Sequence, residues 1–303
     1  MPRSETSFVA TLVANPSAPC LTDADLARAA QALDEAGTPR WLAPGVAADI
    51  SFQAPAACDT RGTALAVKVL LAGLPVDVVV QKSATRRKRL LVADMDSTMI
   101  GQECIDELAD VVGLKDKVSA ITERAMRGEI AFEPALRERV GLLKGLPVGV
   151  IDTIIAEHIT LTPGGRALVR TMRANGGAAW LVSGGFTLFT GRIGAMIGFD
   201  EHRANVLGLE GGHLSGTVAE PILGREAKRD TLVDVRTAMG LAPAETMAVG
   251  DGANDLAMLG EAGLGVAFRA KPQVAAEADA RIEHGDLTAL LYIQGYTADD
   301  FVA

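Results

Sequence analysis

Two carboxylates stand two residues apart in Asp94-Met95-Asp96-Ser97-Thr98, directly after the apolar run Leu90-Leu91-Val92-Ala93. A short apolar run that ends in acids reads as a buried strand delivering its acids into a loop. If the chain leaves strand geometry after Asp94, both carboxylates reach one site. One can then coordinate a hard cation and attack phosphorus, while the other donates and later accepts a proton. Two acids in a turn are also common on surfaces, so this segment gains meaning only from partners.

Three partners follow in chain order. Ser183-Gly184-Gly185 comes after the apolar run Ala178–Val182, and a hydroxyl with free backbone N–H groups at a strand end can hold phosphate oxygens. Lys228 stands near the start of a helical stretch, where its compact positive charge suits a phosphate or a carboxylate. Gly250-Asp251-Gly252-Ala253-Asn254-Asp255 follows Met247-Ala248-Val249. Its glycines permit a tight turn, Asp251 offers an oxygen to a cation, and Asp255 comes round to the same side once a helix begins. Each alone has a plainer reading: a βα turn, a solvated lysine, a loop that caps a helix. Together they place chemistry at successive strand ends of one βα unit.

The elements that position these residues are legible in outline. Ala178–Val182, Met247–Val249 and Gly265–Phe268 read as strands, and Arg166–Asn175, Arg229–Met239 and Leu256–Glu261 as helices. Short apolar strands alternating with helices predict a Rossmann-like α/β parallel sheet with helices on both faces. Between the first strand and this series lies an insert at about 102–160, rich in helix formers: Glu103–Val111, Lys115–Met126, Pro134–Val140 and Val148–His158. An insert placed there stands over the carboxyl ends of the strands, where such sheets bind ligands, and can close over a small substrate.

The first eighty residues have a different texture. Phe8–Ala14, Trp41, Ala47–Phe52 and Val76–Gln81 read as strands, and Thr22–Ala36 and Gly62–Ala72 as helices, with Thr22 as N-cap and Gly37 as the stop. The β-α-β-β-α-β order predicts a small α+β ferredoxin-like domain. In topology alone it resembles the ACT-type regulatory domain. The expected division is 1–85 for this domain and 86–303 for the second. Residues 82–89 form a linker whose basic run Arg86-Arg87-Lys88-Arg89 reads as solvated.

The four motifs, DMDST at 94–98, SGG at 183–185, Lys228 and GDGAND at 250–255, resemble those of the haloacid-dehalogenase-like hydrolases over about residues 89–290. Within that superfamily the chain resembles the phosphoserine phosphatases. The resemblance implies Asp94 as nucleophile and metal ligand, and Asp96 as general acid/base that ligates the metal through its backbone carbonyl. It implies Asp251 as the third ligand to Mg2+. Ser183, Gly184, Lys228 and Asn254 would hold the phosphoryl group, with Asp255 in support. In the insert, Glu103 and Arg139 match the residues that meet the ammonium and carboxylate of O-phospho-L-serine, and Met126 and Phe132 match apolar positions lining that pocket. An anion and a planar cation are what a zwitterion requires.

The bulk properties agree with that expectation. The net charge of −9, from 29 basic and 38 acidic residues, argues against a nucleic-acid partner. Three scattered cysteines (Cys20, Cys58, Cys104) suggest neither a disulfide framework nor a zinc site, and point to the cytoplasm. No membrane span and no signal peptide are expected. His158, His202, His213 and His284 have no metal-ligand spacing and are expected to be structural or exposed. The motifs specify the phosphorus end of a substrate. The same chemistry on another small phosphomonoester, phosphoryl transfer to a second hydroxyl, and an idle sensor of a phosphometabolite therefore stay open as alternatives. Homodimerisation through the N-terminal domain and binding of an amino-acid effector there also stay open.

Overall fold

The computed structural model describes residues 5–126 and 129–303, with side chains for all of these except Glu5 and Met126. The N-terminal unit is a sheet of β1 (Glu5–Ala14), β2 (Arg40–Ala43), β3 (Ala47–Pro55) and β4 (Val76–Lys82), with α1 (Asp23–Ala30) and α2 (Thr60–Leu70). Its order is β2-β3-β1-β4, and every pair is antiparallel. The central strand β1 is buried on both faces. Phe8, Ala10, Leu12 and Ala14 join Leu26 and Val67 of the two helices, while Val13 on the opposite face joins the core of the second unit. That alternation follows the period of two along a strand.

The expected cap of α1 is present: Asp25 N–H donates to Thr22 Oγ1 at 3.3 Å, and Thr22 N–H donates to Asp25 Oδ2 at 2.9 Å. The helix itself stops at Ala30 and does not reach Ala36. After it, Gln31, Ala32 and Leu33 bond three residues back, which tightens the chain. This turn lets Gly37 N–H reach Ser51 O at 2.7 Å, so pairing with β3 wins over continued helix.

The second unit begins with β5 (Leu90–Ala93). The insert follows, with α3 (Cys104–Val111), α4 (Lys115–Met126), α5 (Phe132–Gly141) and α6 (Val150–Glu157). Then come α7 (Gly165–Ala174), β6 (Ala178–Phe186), α8 (Thr187–Ile197), β7 (Glu201–Asn205), β8 (Leu207–Glu210), β9 (His213–Val218), α9 (Arg225–Ala238) and β10 (Thr246–Gly250). The chain closes with α10 (Leu256–Glu261), β11 (Gly265–Phe268), α11 (Pro272–Glu277), β12 (Ala280–Ile282) and α12 (Ala289–Tyr292). The main sheet has the order β12-β11-β10-β5-β6-β7 and is parallel throughout. On β5, Leu91 and Ala93 pack with residues of α7, α8 and α12, while Leu90 and Val92 pack with α9, α10 and α11. Helices therefore cover both faces.

The insert leaves and rejoins the sheet unit through two short antiparallel limbs. Gly101 N–H donates to Thr160 O and Thr162 N–H to Met99 O, both at 3.0 Å. The cap is larger than the sequence suggests. The β8–β9 hairpin joins it, with Gly145 N–H on Leu214 O and Leu214 N–H on Leu146 O, each at 2.8 Å.

The basic run at 86–89 is solvated only in part: Arg87 and Arg89 are exposed, while Arg86 and Lys88 turn inward. Arg86 grips both oxygens of Asp49 at 2.8 and 2.9 Å and reaches the carbonyls of Tyr292 and Ile293. Arg87 lies 3.5 Å from the ring centre of Tyr296. Lys88 is buried, and its Nζ donates to Thr85 O and Ala244 O, both at 2.8 Å. Asp77, also buried, accepts the N–H groups of Glu283, His284 and Gly285. Buried polar groups must find partners, and here the carbonyls and amides of the second unit supply them. The run thus ties the N-terminal sheet to the second unit.

Burial holds the Lys88 ammonium down to about 8, against the weaker pull of Asp279. Its folded pKa lies below the unfolded value of 10.5, so charging it costs stability below about 8, and that cost disappears as pH rises to 10.5. Lys88→Met removes the titration. The stability of the variant minus that of the parent should be about 3 kcal/mol greater at pH 7.5 than at 10.5. Urea denaturation at several pH values measures this, and a pH-independent difference would refute it.

Candidate active site

Asp94 N–H still pairs with Val249 O of β10 at 3.0 Å, and then the chain turns back on itself. The N–H groups of Thr98, Met99 and Ile100 all converge on Met95 O. This turn brings Asp94 and Asp96 into one cavity, as the motif requires. Asp94 Oδ1 accepts Met95 N–H at 2.7 Å, and Asp94 Oδ2 meets Lys228 Nζ at 2.7 Å. Lys228 also meets Asp255 Oδ1 at 2.7 Å. The other oxygen of Asp255 accepts the N–H groups of Asp251 and Gly252 at 3.2 and 3.0 Å. Asp255 is thus a fully engaged brace. Gly250 makes room for it, because a β-carbon there would sit 2.4 Å from the Asp255 carboxyl carbon.

Carboxylate oxygens of Asp94, Asp251 and Asp255 lie within 4.8 Å of one another. Buried Lys228 is one positive charge among three acids. Burial and then the charge of Asp255 push Asp94 well above the usual carboxylate range, and the same two causes push Asp251 up to about 6. For Lys228, burial pulls downward, but the carboxylates of Asp255 and Asp94 outweigh it and hold the ammonium above the usual lysine range. The site carries excess negative charge on hard oxygen donors, which suits a hard divalent cation.

Asp96 differs in kind. Burial and the nearby charge of Glu103 push it up to about 7, against the hydrogen bond its Oδ1 accepts from Cys104 N–H at 3.1 Å. Ser183 Oγ donates to Asp96 Oδ2 at 3.4 Å and accepts Gly185 N–H at 2.8 Å. A β-carbon at Gly185 would lie 3.0 Å from Asp96 Oδ2 and from Ser183 Oγ, so a side chain there would crowd both groups.

A cavity of about 550 Å3 joins these groups to the cap, and Asp94, Asp96, Ser183, Gly184, Asp251 and Asn254 line its floor. Glu103, Phe132 and Arg139 line its roof. Arg139 is fixed by Ala135 O and Thr122 Oγ1 at 3.2 and 3.3 Å. The half-exposed ring of Phe132 lies against Gly184. Met126 lies, as a side chain, outside the described residues.

Sequence reasoning missed several participants. Thr98 donates to Asp251 Oδ1 at 3.1 Å. Buried Asn205 ties the Ser183 loop to the segment before α9, bonding Gly184 O at 2.9 Å and Leu223 N–H at 2.7 Å. Asp106, Arg225 and Lys271 also line the cavity. Thr98 stands inside the DMDST motif, an asparagine ending a strand is a faint signal, and the others carry none. The four histidines stay outside the cavity lining. His284 groups with Asp77 and Glu283, but Asp77 is taken by amides and Glu283 by Lys68.

No helix among the described residues is long and apolar enough to cross a membrane. Residues 91–260 match the family model of the haloacid dehalogenase-like hydrolases. The chain is 44% identical over 224 residues to the phosphoserine phosphatase of Polaromonas sp. (strain JS666), covering 72% of this chain and 95% of that one. Its fold is similar to that of a HAD family hydrolase from Salmonella enterica serovar Typhi, with a TM-score of 0.83 and 28% identity over 95% of this chain and 98% of that one. It is also similar to a probable phosphoserine phosphatase from Vibrio cholerae, with a TM-score of 0.75 and 29% identity over 97% of this chain and 88% of that one. With an acid-lined cavity at the strand ends of a parallel sheet and a helical cap above it, the chain belongs to the haloacid dehalogenase-like hydrolases, and within them to the phosphoserine phosphatases.

Proposed function

We propose that the protein hydrolyses O-phospho-L-serine to L-serine and phosphate, the closing step of serine biosynthesis, through an aspartyl-phosphate. One observation carries the substrate: Glu103 and Arg139, from separate parts of the cap, face the cavity that holds Asp94. An acid and an arginine on one wall match the ammonium and carboxylate of a zwitterion.

In the first step Asp94 attacks phosphorus, the bond from phosphorus to the serine oxygen breaks, and Asp96 gives its proton to that oxygen. An alkoxide is a poor leaving group, so this proton matters, and the raised pKa of Asp96 supports its supply near neutrality. In the second step water attacks phosphorus, its proton passes to Asp96, and the carboxylate of Asp94 is released. Ser183, Gly184, Asn254 and Lys228 hold the phosphoryl oxygens, and Asp255 braces Lys228. The excess of carboxylates fits magnesium, which Asp94, Asp251 and the backbone carbonyl of Asp96 would hold. Bound magnesium supplies charge stabilisation and orientation for the phosphoryl group.

The division into an N-terminal unit of residues 1–85 and a catalytic unit of 86–303 is part of the same reading. The β-α-β-β-α-β order and the sheet order β2-β3-β1-β4 support an ACT-like assignment for the first.

Arg139→Ala tests the substrate. The kcat/KM for O-phospho-L-serine should fall roughly 100-fold, as expected for the loss of charge-assisted hydrogen bonds. Hydrolysis of an aryl phosphate should fall far less. Equal losses on both substrates would mean that the cap does not read a carboxylate.

A further inference from the structure

Ser97 has a backbone φ of +55°, a conformation that side-chain-bearing residues seldom adopt. Glycine fits such a position without strain, yet a serine stands there. Its hydroxyl has a partner: Ser97 Oγ donates to Glu103 Oε1 at 2.7 Å. Ser97 N–H also donates to Gln102 O at 3.3 Å, and Cys104 N–H donates to Asp96 Oδ1 at 3.1 Å. Three hydrogen bonds thus join the loop that carries Asp96 to the first residues of the cap. One of them runs between backbone atoms and tolerates any side chain, and another ends on the Asp96 carboxylate itself. The third needs the Ser97 hydroxyl, and it ends on the one carboxylate that lines the substrate cavity from this stretch, residues 101–105. Glu103 is otherwise exposed on a flexible stem. An exposed glutamate loses much rotamer freedom when it fixes a ligand, and a partner that holds it beforehand lowers that cost.

We infer that Ser97 is a positioning residue for substrate selection: its strained backbone aims a hydroxyl at Glu103 and holds that carboxylate ready for the substrate's ammonium group. This rests on the reading of Glu103 as the ammonium partner. The reaction itself does not pass through Ser97. Its effect falls on binding of substrates that carry an ammonium beside the phosphate.

The test compares Ser97→Gly, which relieves the backbone and removes the hydroxyl, with Ser97→Ala and Glu103→Gln. The two substrates are O-phospho-L-serine and phosphoglycolate, which keeps a carboxylate and lacks the ammonium. For both Ser97 variants, KM for phosphoserine should rise about tenfold with little change in kcat, a loss typical of one hydrogen bond to a charged group. The preference for phosphoserine over phosphoglycolate should shrink by the same factor. The melting temperature of Ser97→Gly should not fall, because the strain is gone. A preference kept by Ser97→Gly but lost in Glu103→Gln overturns the inference and leaves the ammonium reading intact. A preference kept by Glu103→Gln overturns both. A lower melting temperature together with a collapse of kcat on both substrates marks Ser97 as a loop-stabilising residue and also overturns the inference.

Discussion

Asp94→Asn is expected to lower hydrolysis roughly 10^4- to 10^6-fold, the scale of losing a covalent nucleophile. Asparagine keeps the shape of the side chain and can still occupy the site beside Met95 N–H and Lys228. What it lacks is the negative oxygen that attacks phosphorus in the proposed mechanism. The fold should survive and the protein should gain stability. The Asp94 carboxyl lies above its unfolded pKa of 3.8 because burial and the charge of Asp255 outweigh the help of Lys228. A group raised in this way destabilises the fold once pH rises above the unfolded value. Removing the charge therefore stabilises the protein at neutral pH when no divalent cation is present. Lys228 keeps Asp255 as its partner at 2.7 Å. The checks are steady-state kinetics and urea denaturation in chelator. Near-parental turnover by this variant would remove Asp94 from the nucleophile's role.

Lys228→Met should damage both activity and stability. The ammonium sits between two carboxylates at 2.7 Å each, and all three side chains are buried. Removing it leaves Asp94 and Asp255 facing each other with no cation, which costs on the order of 3–5 kcal/mol. Turnover should fall by roughly 100- to 1,000-fold, the scale of losing one fixed donor to a developing negative charge. The two effects can be separated. The double variant Lys228→Met, Asp255→Asn removes one of the stranded charges and should recover much of the stability but not the activity. Chemical denaturation of the four corners of this cycle gives the coupling. Full additivity would mean that Lys228 and Asp255 do not sense each other, against the short contact between them.

The floor of the cavity was readable in the chain because its pattern is local. Asp94, Ser183 and Asp251 each follow a short apolar run, and a parallel sheet places all such strand ends on one edge. Type and order alone therefore brought these residues together. The same logic made the two-sided main sheet and the β-α-β-β-α-β unit legible. What local pattern could not supply was long-range partnership. The basic run at 86–89 has the composition of a solvated linker, yet Asp49, Tyr292 and Ala244 arrive from distant parts of the chain to bind Arg86 and bury Lys88. The β8–β9 hairpin had a turn signal in Gly211-Gly212 between its strands, but its place in the cap depends on residues 145–148.

Asp94 itself shows where the sequence stopped. Its position after Ala93 placed a carboxylate at the end of an apolar run, and β5 ends there, although β6 runs on past its own apolar stretch through Ser183 to Phe186. The fold decided how much charge surrounds it: one buried lysine against three acids. That imbalance comes from side chains up to 161 positions apart, and only the packed sheet brings them within reach. The same holds for Glu103, whose place in the insert is local. Its hold by Ser97 depends on a backbone angle that no residue pattern announces.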